Sequence, residues 1–554
     1  MKQNSKLYLD RLSQQDMSLE YKAVNGLQRT PWTIDTQVLQ VMRQAWDSGQ
    51  EWAGLPPRFD LDLPAYPFDK DPQDLSEEER NVYKDWAKNR SRIYTHNGKS
   101  MSRRIQVERT LQIAEEYAKH SEFYFVWQLD FRSRKYPVES FMSPQVADWG
   151  KALLLFNNGF PINNYEDADW LAIHGANLFG NDKVSFTDRI QWAWDNEDDI
   201  VRCAENPLDY LWWTTADKPW QFLGWCFEWY GLLREGWGFY THLPCAADGS
   251  CNGLQHLSAI LCDERGGAAT NLIPSDLPSD IYSDVAARAT ALVAEDAEQG
   301  DELARKCLEF GIDRSLTKRP VMIVPYSGTQ HACREYIQEA IADKITKKGI
   351  PNPFGDDLFG VGVYLAKHIW QGINETISSA RQVMDYVKEV GSHYGAANQH
   401  MEWVTPTNFL VVQPYYNTKK RLIKTHIDGN LVYLSYQQEL QDSVNRSRIS
   451  TGASPNFIHS LDAAALTFTI NKCLDTNMMD FSMVHDSYGT HSPNMGIMSH
   501  TLRQAFVDMY QKYDVLQDLR DHAVATLGDS SIPQPPAKGS LDLSRVLDSD
   551  YFFA

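Results

Sequence analysis

The stretch Thr241–Gly253, THLPCAADGSCNG, decides the fold: a short apolar run ends in Asp248, and Gly249, Ser250 and Gly253 follow closely. This pattern predicts a strand that delivers a carboxylate at its end. A second stretch, Phe481–His491, FSMVHDSYGTH, runs from apolar residues into His485-Asp486 and then into a short polar-flanked return. It predicts a β-hairpin with Asp486 at its tip. The two aspartates lie far apart in the chain, so only a fold that pairs their strands brings them together. Once paired, two carboxylates can bridge two Mg²⁺ ions about 3.5 to 4 Å apart, which stabilises the attacking and leaving oxygens of phosphoryl transfer. Taken singly, each aspartate is more commonly a turn residue or cap than a ligand.

Outward from these stretches lies Arg314-Ser315-Leu316-Thr317-Lys318-Arg319, with Tyr326 beyond it. On a helix Arg314 and Lys318 stand one turn apart on one face, where they can meet a triphosphate together; alone, the segment also reads as a solvated basic face. Local cations matter here because 53 Lys+Arg against 73 Asp+Glu leave a formal charge of −20. No uniform basic coat exists, so a nucleic-acid site has to concentrate its cations. Arg132/Arg134/Lys135, Lys344 to Lys348 and Lys419 to Lys424 are the candidate clusters.

A hydrophobic content of 43%, with 12% aromatic residues, excludes disorder as the main state. No uncharged apolar stretch approaches the ~18 residues of a membrane span, and Met1–Glu20 has no hydrophobic signal core, which predicts a soluble, cytoplasmic protein with no membrane partner. Eight cysteines without a CxxC pair predict reduced core residues rather than a zinc site or disulfide framework. Five prolines between Gly54 and Pro72 mark a connector. Ser76–Ser91 and Ser102–His120 then read as two helices able to form a projecting hairpin. The tryptophans between Trp192 and Trp237 suit a packed helical core better than base stacking. Ile369, Ile373, Ile377, Ala380, Val383, Val387 and Val390 predict one long amphipathic helix.

In combination, and allowing for their order along the chain, the three motif segments closely resemble motifs A (Thr241–Gly253), C (Phe481–His491) and B (Arg314–Arg319, Tyr326) of the single-subunit, phage-type RNA polymerases, a family that includes mitochondrial enzymes. The resemblance extends through QLDFRSRKYPV (Gln128–Val138), LAIHGANLFG (Leu171–Gly180), GGAATNLIPSDLPSDIY, ASPNFIHS (Ala453–Ser460), MVHDSYGT and PPAKGSLDL. It covers nearly everything from Arg29 to Ala554.

The resemblance implies a mostly helical α/β right-hand polymerase. A short N-terminal remnant (1–49) precedes a thumb (50–120), a palm with a helical insertion (121–275), fingers (276–453) and a return to the palm with the C-terminal tail (454–554). It implies that Asp248 and Asp486 bind two Mg²⁺ ions, with the Gly249 carbonyl as a further ligand. By the same likeness Arg314 and Lys318 grip the nucleotide phosphates, Tyr326 screens the sugar and His459 attends the ribose 2′-OH. Arg132, Arg134 and Tyr136 support template and active site, and His485 precedes the catalytic aspartate. The implied partners are a DNA template, an RNA product and rNTPs. Because the resembling region begins almost at the start of the chain, a separate N-terminal-domain-like subunit, a single-stranded DNA-binding factor or a template already single-stranded is expected for promoter opening. Residues 423–447, with the turn signal His426–Asn430 and with Arg446 and Arg448 at the far end, match the promoter-reading hairpin; an ordinary surface hairpin is the plain alternative. The aromatic end, Asp550–Ala554, resembles a tail docked near the active site.

Three departures stand out. Pro320 and Pro325 fall where the nucleotide-binding helix is expected, predicting a kink or a late start. Glu205 occupies the place of a phosphate-approaching lysine. The third is the missing N-terminal promoter domain. The rival readings are a related palm-family DNA polymerase, a primase, and a nucleic-acid-binding subunit of weak activity.

Overall fold

The computed structural model describes residues 6–355 and 357–554. Helices dominate, and the described strands form one three-stranded sheet and five two-stranded ribbons. The centre is the 30-residue helix Arg446–Asp475, whose stretch from Ala453 to Cys473 is buried on almost every side. A helix apolar all round belongs in a core. Here Ser18–Arg29, Ser378–Ala396 and Ser492–Lys512 enclose it. Glu20 on the first of these is fully buried and accepts from Lys135 Nζ (2.8 Å) and Thr407 Oγ1 (2.6 Å), tying the N-terminal region to the centre.

The expected helical hairpin is instead one 41-residue helix, Glu77–Tyr117, opened by a reciprocal cap between Ser76 and Glu79. No proline interrupts Arg92–Met101, and one glycine, Gly98, costs only about 1 kcal/mol, too little to break a helix this long. The proline-rich connector takes the place of the second helix. It runs along the first, with Leu61 and Asn97 exchanging hydrogen bonds of 3.0 and 2.8 Å and Trp86 Nε1 donating to the Pro64 carbonyl.

The single amphipathic helix expected around 369–390 is two, Leu358–Thr376 and Ser378–Ala396, broken at Ile377 (φ −123°, ψ 42°). Thr376-Ile377 followed by Ser378-Ser379 is a run of weak helix formers. The apolar spacing survives the break because both helices bury the same series of side chains. The tryptophan-rich region is core: Trp213, Trp220, Trp225 and Trp229 are fully buried, and only its last member, Trp237, is half exposed. All eight cysteines are free thiols, and among the described residues no helix is long and apolar enough to cross a membrane.

A long hairpin of Tyr416–Ile427 and Asn430–Val444 projects from the body with most of its residues exposed. Its tip, Asp428-Gly429, has positive φ at both positions (48° and 81°), the two-residue turn that matches strand twist. The ribbon therefore begins seven residues before the expected Ile423. Arg446 and Arg448 are not on it but on the first turn of the central helix, where the Arg448 guanidinium lies 4.8 Å from the centre of the Tyr415 ring.

Candidate active site

The three-stranded antiparallel sheet has the order Ser482–Val484, Ser487–Thr490, Cys245–Asp248. Ser487 is directly opposite Asp248, and the Gly249 amide donates to the Asp486 carbonyl at 2.9 Å. Both aspartates thus sit at one end of the sheet, Asp248 at a strand end and Asp486 in the turn between the other two strands. Each opens onto a cavity of about 490 Å³. Asp486 is exposed toward the cavity but has protein on its other sides; this partial loss of hydration, and then repulsion from Asp248, raises its pKa from the ordinary aspartate value.

Among the described residues no group of three or more His, Cys, Asp or Glu converges as a metal cage. The donor set instead fits Mg²⁺, which takes one or two carboxylates and completes its shell with water and substrate phosphate. The Asp248 carbonyl accepts from the Ala554 amide at 3.1 Å.

The facing wall is the helix Arg314–Met322, capped by Asp313, which accepts from the Ser315 amide. The expected late start does not occur: the helix begins at Arg314 with Pro320 inside it, and it ends before Pro325, which lies in the following 3-10 turn Val324–Tyr326. Arg314 is oriented by Asp280, which accepts from Nε at 2.9 Å, and its guanidinium lies over Tyr282. Burial, then the Arg314 and Lys183 charges, lowers the Lys318 pKa. Both cations line the cavity with the two aspartates.

Tyr326 follows, its ring on His459 at 4.7 Å between centroids. Gly253 permits this approach: a Cβ there would sit 3.1 Å from Pro325 and 3.3 Å from the Tyr326 hydroxyl. His459 Nδ1 accepts from Arg132 Nη1 at 2.8 Å, and Asp130 Oδ2 holds Arg132 Nε and Nη2 at 2.9 and 2.6 Å. A guanidinium only donates, so His459 carries its proton on Nε2. Arg134 pairs with the buried Asp462, one turn along the central helix, and Tyr136 lies edge-on to His485 at 4.7 Å.

The tail docks beside Asp248. Gly249 pairs with Phe553 as an isolated antiparallel bridge, Phe553 stacks on Tyr488 (4.9 Å, 3°), and Gln255 Nε2 donates to the Phe552 carbonyl at 2.8 Å.

Two expected channel cations are spent elsewhere. Lys135 is fully buried on Glu20, and Lys344 is buried against Asp313 Oδ2 (2.9 Å) and the Gly311 carbonyl. The side chains of Lys347 and Lys348 lie outside the described residues. Glu205 is not part of the cavity lining; it accepts from the Tyr230 hydroxyl at 3.0 Å. Sequence reasoning missed Lys151, Lys183 and Lys218, which line the cavity, Asp280, which holds the cavity's Arg314, and Asp130 and Asp462, which hold Arg132 and Arg134 outside the cavity lining. The partners of Asp280 and Asp462 lie 34 and 328 residues away, whereas Asp130 stands two residues from Arg132 within the Gln128–Val138 segment and was open to a closer reading.

A family model of DNA-dependent RNA polymerases matches residues 163–532. T7 RNA polymerase of Escherichia phage T7 is 33% identical over 601 aligned positions, which cover 100% of this chain and 66% of the relative. The DNA-directed RNA polymerase of Enterobacteria phage K11 is 32% identical, covering 100% and 64%. DNA-directed RNA polymerase 1, mitochondrial, of Arabidopsis thaliana is 31% identical, covering 98% and 55%. The chain thus spans about two thirds or less of the length of these relatives. With a match over most of its length and these relatives among phage and mitochondrial enzymes, the chain belongs to the DNA-dependent RNA polymerase family, in its phage-type branch.

Proposed function

We propose that this chain carries out DNA-directed RNA synthesis, adding rNTPs to an RNA 3′ end on a DNA template. One observation carries the reading: Asp248 and Asp486 lie side by side on the floor of a cavity whose wall presents Arg314 and Lys318. A carboxylate pair facing a cation pair suits a reaction in which the 3′-OH attacks the α-phosphate in line and pyrophosphate leaves. Two Mg²⁺ ions held by Asp248, Asp486 and the Gly249 carbonyl would supply charge stabilisation for the attacking and leaving oxygens.

In this reading Arg314 and Lys318 hold the β- and γ-phosphates, and Tyr326 with His459 closes the sugar pocket. Arg132, Arg134 and Tyr136 keep that pocket and His485 in place. The small sheet belongs to the palm, the Arg314–Met322 helix to the fingers and the long Glu77–Tyr117 helix to the thumb. The enzyme works in the cytoplasm, that of the host cell if phage-encoded.

The test is extension of a primed template with rNTPs or dNTPs, with and without other proteins from the same source. Asp248→Asn and Asp486→Asn should each abolish addition while leaving the fold intact, because each removes a metal-binding carboxylate. Normal Mg²⁺-dependent extension by either variant sinks the assignment. A preference for dNTPs selects the DNA polymerase alternative, and efficient start without a primer on single strands selects priming.

A further inference from the structure

The geometry points to Lys218 as an exchangeable cation: it neutralises Asp248 until a divalent metal arrives, then turns to the phosphates of the bound nucleotide or of pyrophosphate. The first half of this inference rests on the ion pair, the second on the polymerase reading above.

The backbone of Lys218 is fixed. It precedes Pro219, the first residue of the helix Pro219–Glu235, and a residue before proline is held out of the helical region. Its amide donates to the Leu178 carbonyl (3.0 Å), its carbonyl accepts from the Phe222 amide (2.9 Å), and the neighbouring Asp217 amide donates to Phe179 (3.1 Å). From this anchor the side chain enters the cavity, 46% exposed, with Nζ 3.6 Å from Asp248 Oδ2.

The local charges make Lys218 the cation that can leave. Asp248 and Asp486 face two ammonium groups, Lys151 and Lys218, so without metal the floor of the cavity is close to neutral. Lys151 is enclosed, and burial and then repulsion from Lys218 lower its pKa. Lys218 is the more open of the two, on a four-carbon stem that can swing. His174 on the same wall does not compete for Asp248. Its Nδ1 accepts from the Ala246 amide (3.3 Å), and burial, then Lys218, pushes its pKa down to about 4, so it is neutral. A divalent ion on Asp248 repels an ammonium 3.6 Å away. The other negative charge entering this cavity is the triphosphate, which Arg314 and Lys318 meet from the facing wall.

The test uses the full chain with Lys218→Gln and Lys218→Arg. Mn²⁺ binding without nucleotide is followed by the electron paramagnetic resonance of the free ion, and binding of inorganic pyrophosphate at saturating Mn²⁺ by calorimetry. Lys218→Gln should tighten Mn²⁺ about two- to fivefold, the factor that corresponds to a partly exposed ion pair, and should weaken pyrophosphate by at least as much. Lys218→Arg, which keeps the charge, should return both values toward wild type. Thermal melting confirms that the variants fold.

Asp248→Asn, run alongside, separates the two readings. Undiminished Mn²⁺ binding by that variant removes Asp248 from the metal site and overturns the inference together with the site assignment. Diminished binding there, with Lys218→Gln at wild-type Mn²⁺ or pyrophosphate affinity, overturns the inference alone.

Discussion

At the scale of single residues, the contact between Tyr326 and His459 is the most consequential. In the reading proposed above, a hydroxyl and an imidazole N–H side by side can favour a substrate that bears a 2′-OH, because a site built to hydrogen-bond a hydroxyl rejects its absence far better than an apolar wall does. Tyr326→Phe and His459→Ala should both lower the ratio of rNTP to dNTP incorporation efficiency, by about tenfold or more for the loss of such a hydrogen bond; an unchanged ratio in both removes them from sugar selection. Burial, then the Arg134 and Arg132 charges, pushes the His459 pKa down to about 2, so the ring stays neutral at any higher pH. The ratio should therefore be flat between about pH 6 and 9, while a step near the ordinary histidine value of about 6.5 would contradict this. Sequence patterns made Asp248, Asp486, Arg314, Lys318 and Tyr326 legible because each sits in a local motif. Asp462 was not, since the arginine it orients is 328 residues away.

At the scale of elements, the docked tail and the projecting hairpin make separate predictions. Tyr551, Phe552 and Phe553 are buried, and the last amide is bonded to the Asp248 carbonyl. Deleting Phe552–Ala554 should lower the rate of nucleotide addition about tenfold or more, through misplacement of Asp248, with a smaller loss in melting temperature. Unaltered turnover would separate the tail from the site. The hairpin Tyr416–Val444 leaves Leu422, Ile423, Tyr433 and Leu434 exposed and carries Lys419, Lys420, Arg421 and Lys424 on its first strand. It contributes little to the core, so replacing residues 418–442 with a Gly/Ser loop should spare primed extension and impair template-specific initiation; equal loss of both would count against a recognition role. The turn was readable from Asp428-Gly429. The strand limits were not, because residues exposed on both faces lack the alternation that marks a half-buried strand.

At the scale of the whole molecule, a buried ion pair between Glu20 on the helix Ser18–Arg29 and Lys135 on the strand Lys135–Pro137 reinforces the packing of the N-terminal region on the centre. Glu20 and Lys135 are both fully buried, and Thr407 and Thr467 add hydrogen bonds to them. Glu20→Gln strands the Lys135 ammonium without its counter-charge, which typically costs about 3–5 kcal/mol. Urea denaturation should show a matching fall in midpoint, and paired replacement of Glu20 and Lys135 by apolar residues should recover much of it; full stability in Glu20→Gln alone would show that the pair is not a structural lock. Such a lock explains why Lys135, read as a channel cation from its neighbours Arg132 and Arg134, serves the core instead.

The sequence by itself determined the chemistry-bearing motifs, their order, the strand and turn that present the two aspartates, and the helical character of most of the chain. These follow from backbone propensity and side-chain spacing, which act over a few residues. Only the tertiary structure decided that Ser487 lies opposite Asp248, that Glu77–Tyr117 is one helix with the proline-rich segment laid along it, and which lysines face the cavity and which are buried. The physical reason is that burial and ion pairing depend on partners outside the local segment, from 30 residues away for Lys218 and Asp248 to 115 for Lys135 and Glu20, and a lysine's own sequence neighbours do not record whether its ammonium will meet a carboxylate in the core or an open cavity.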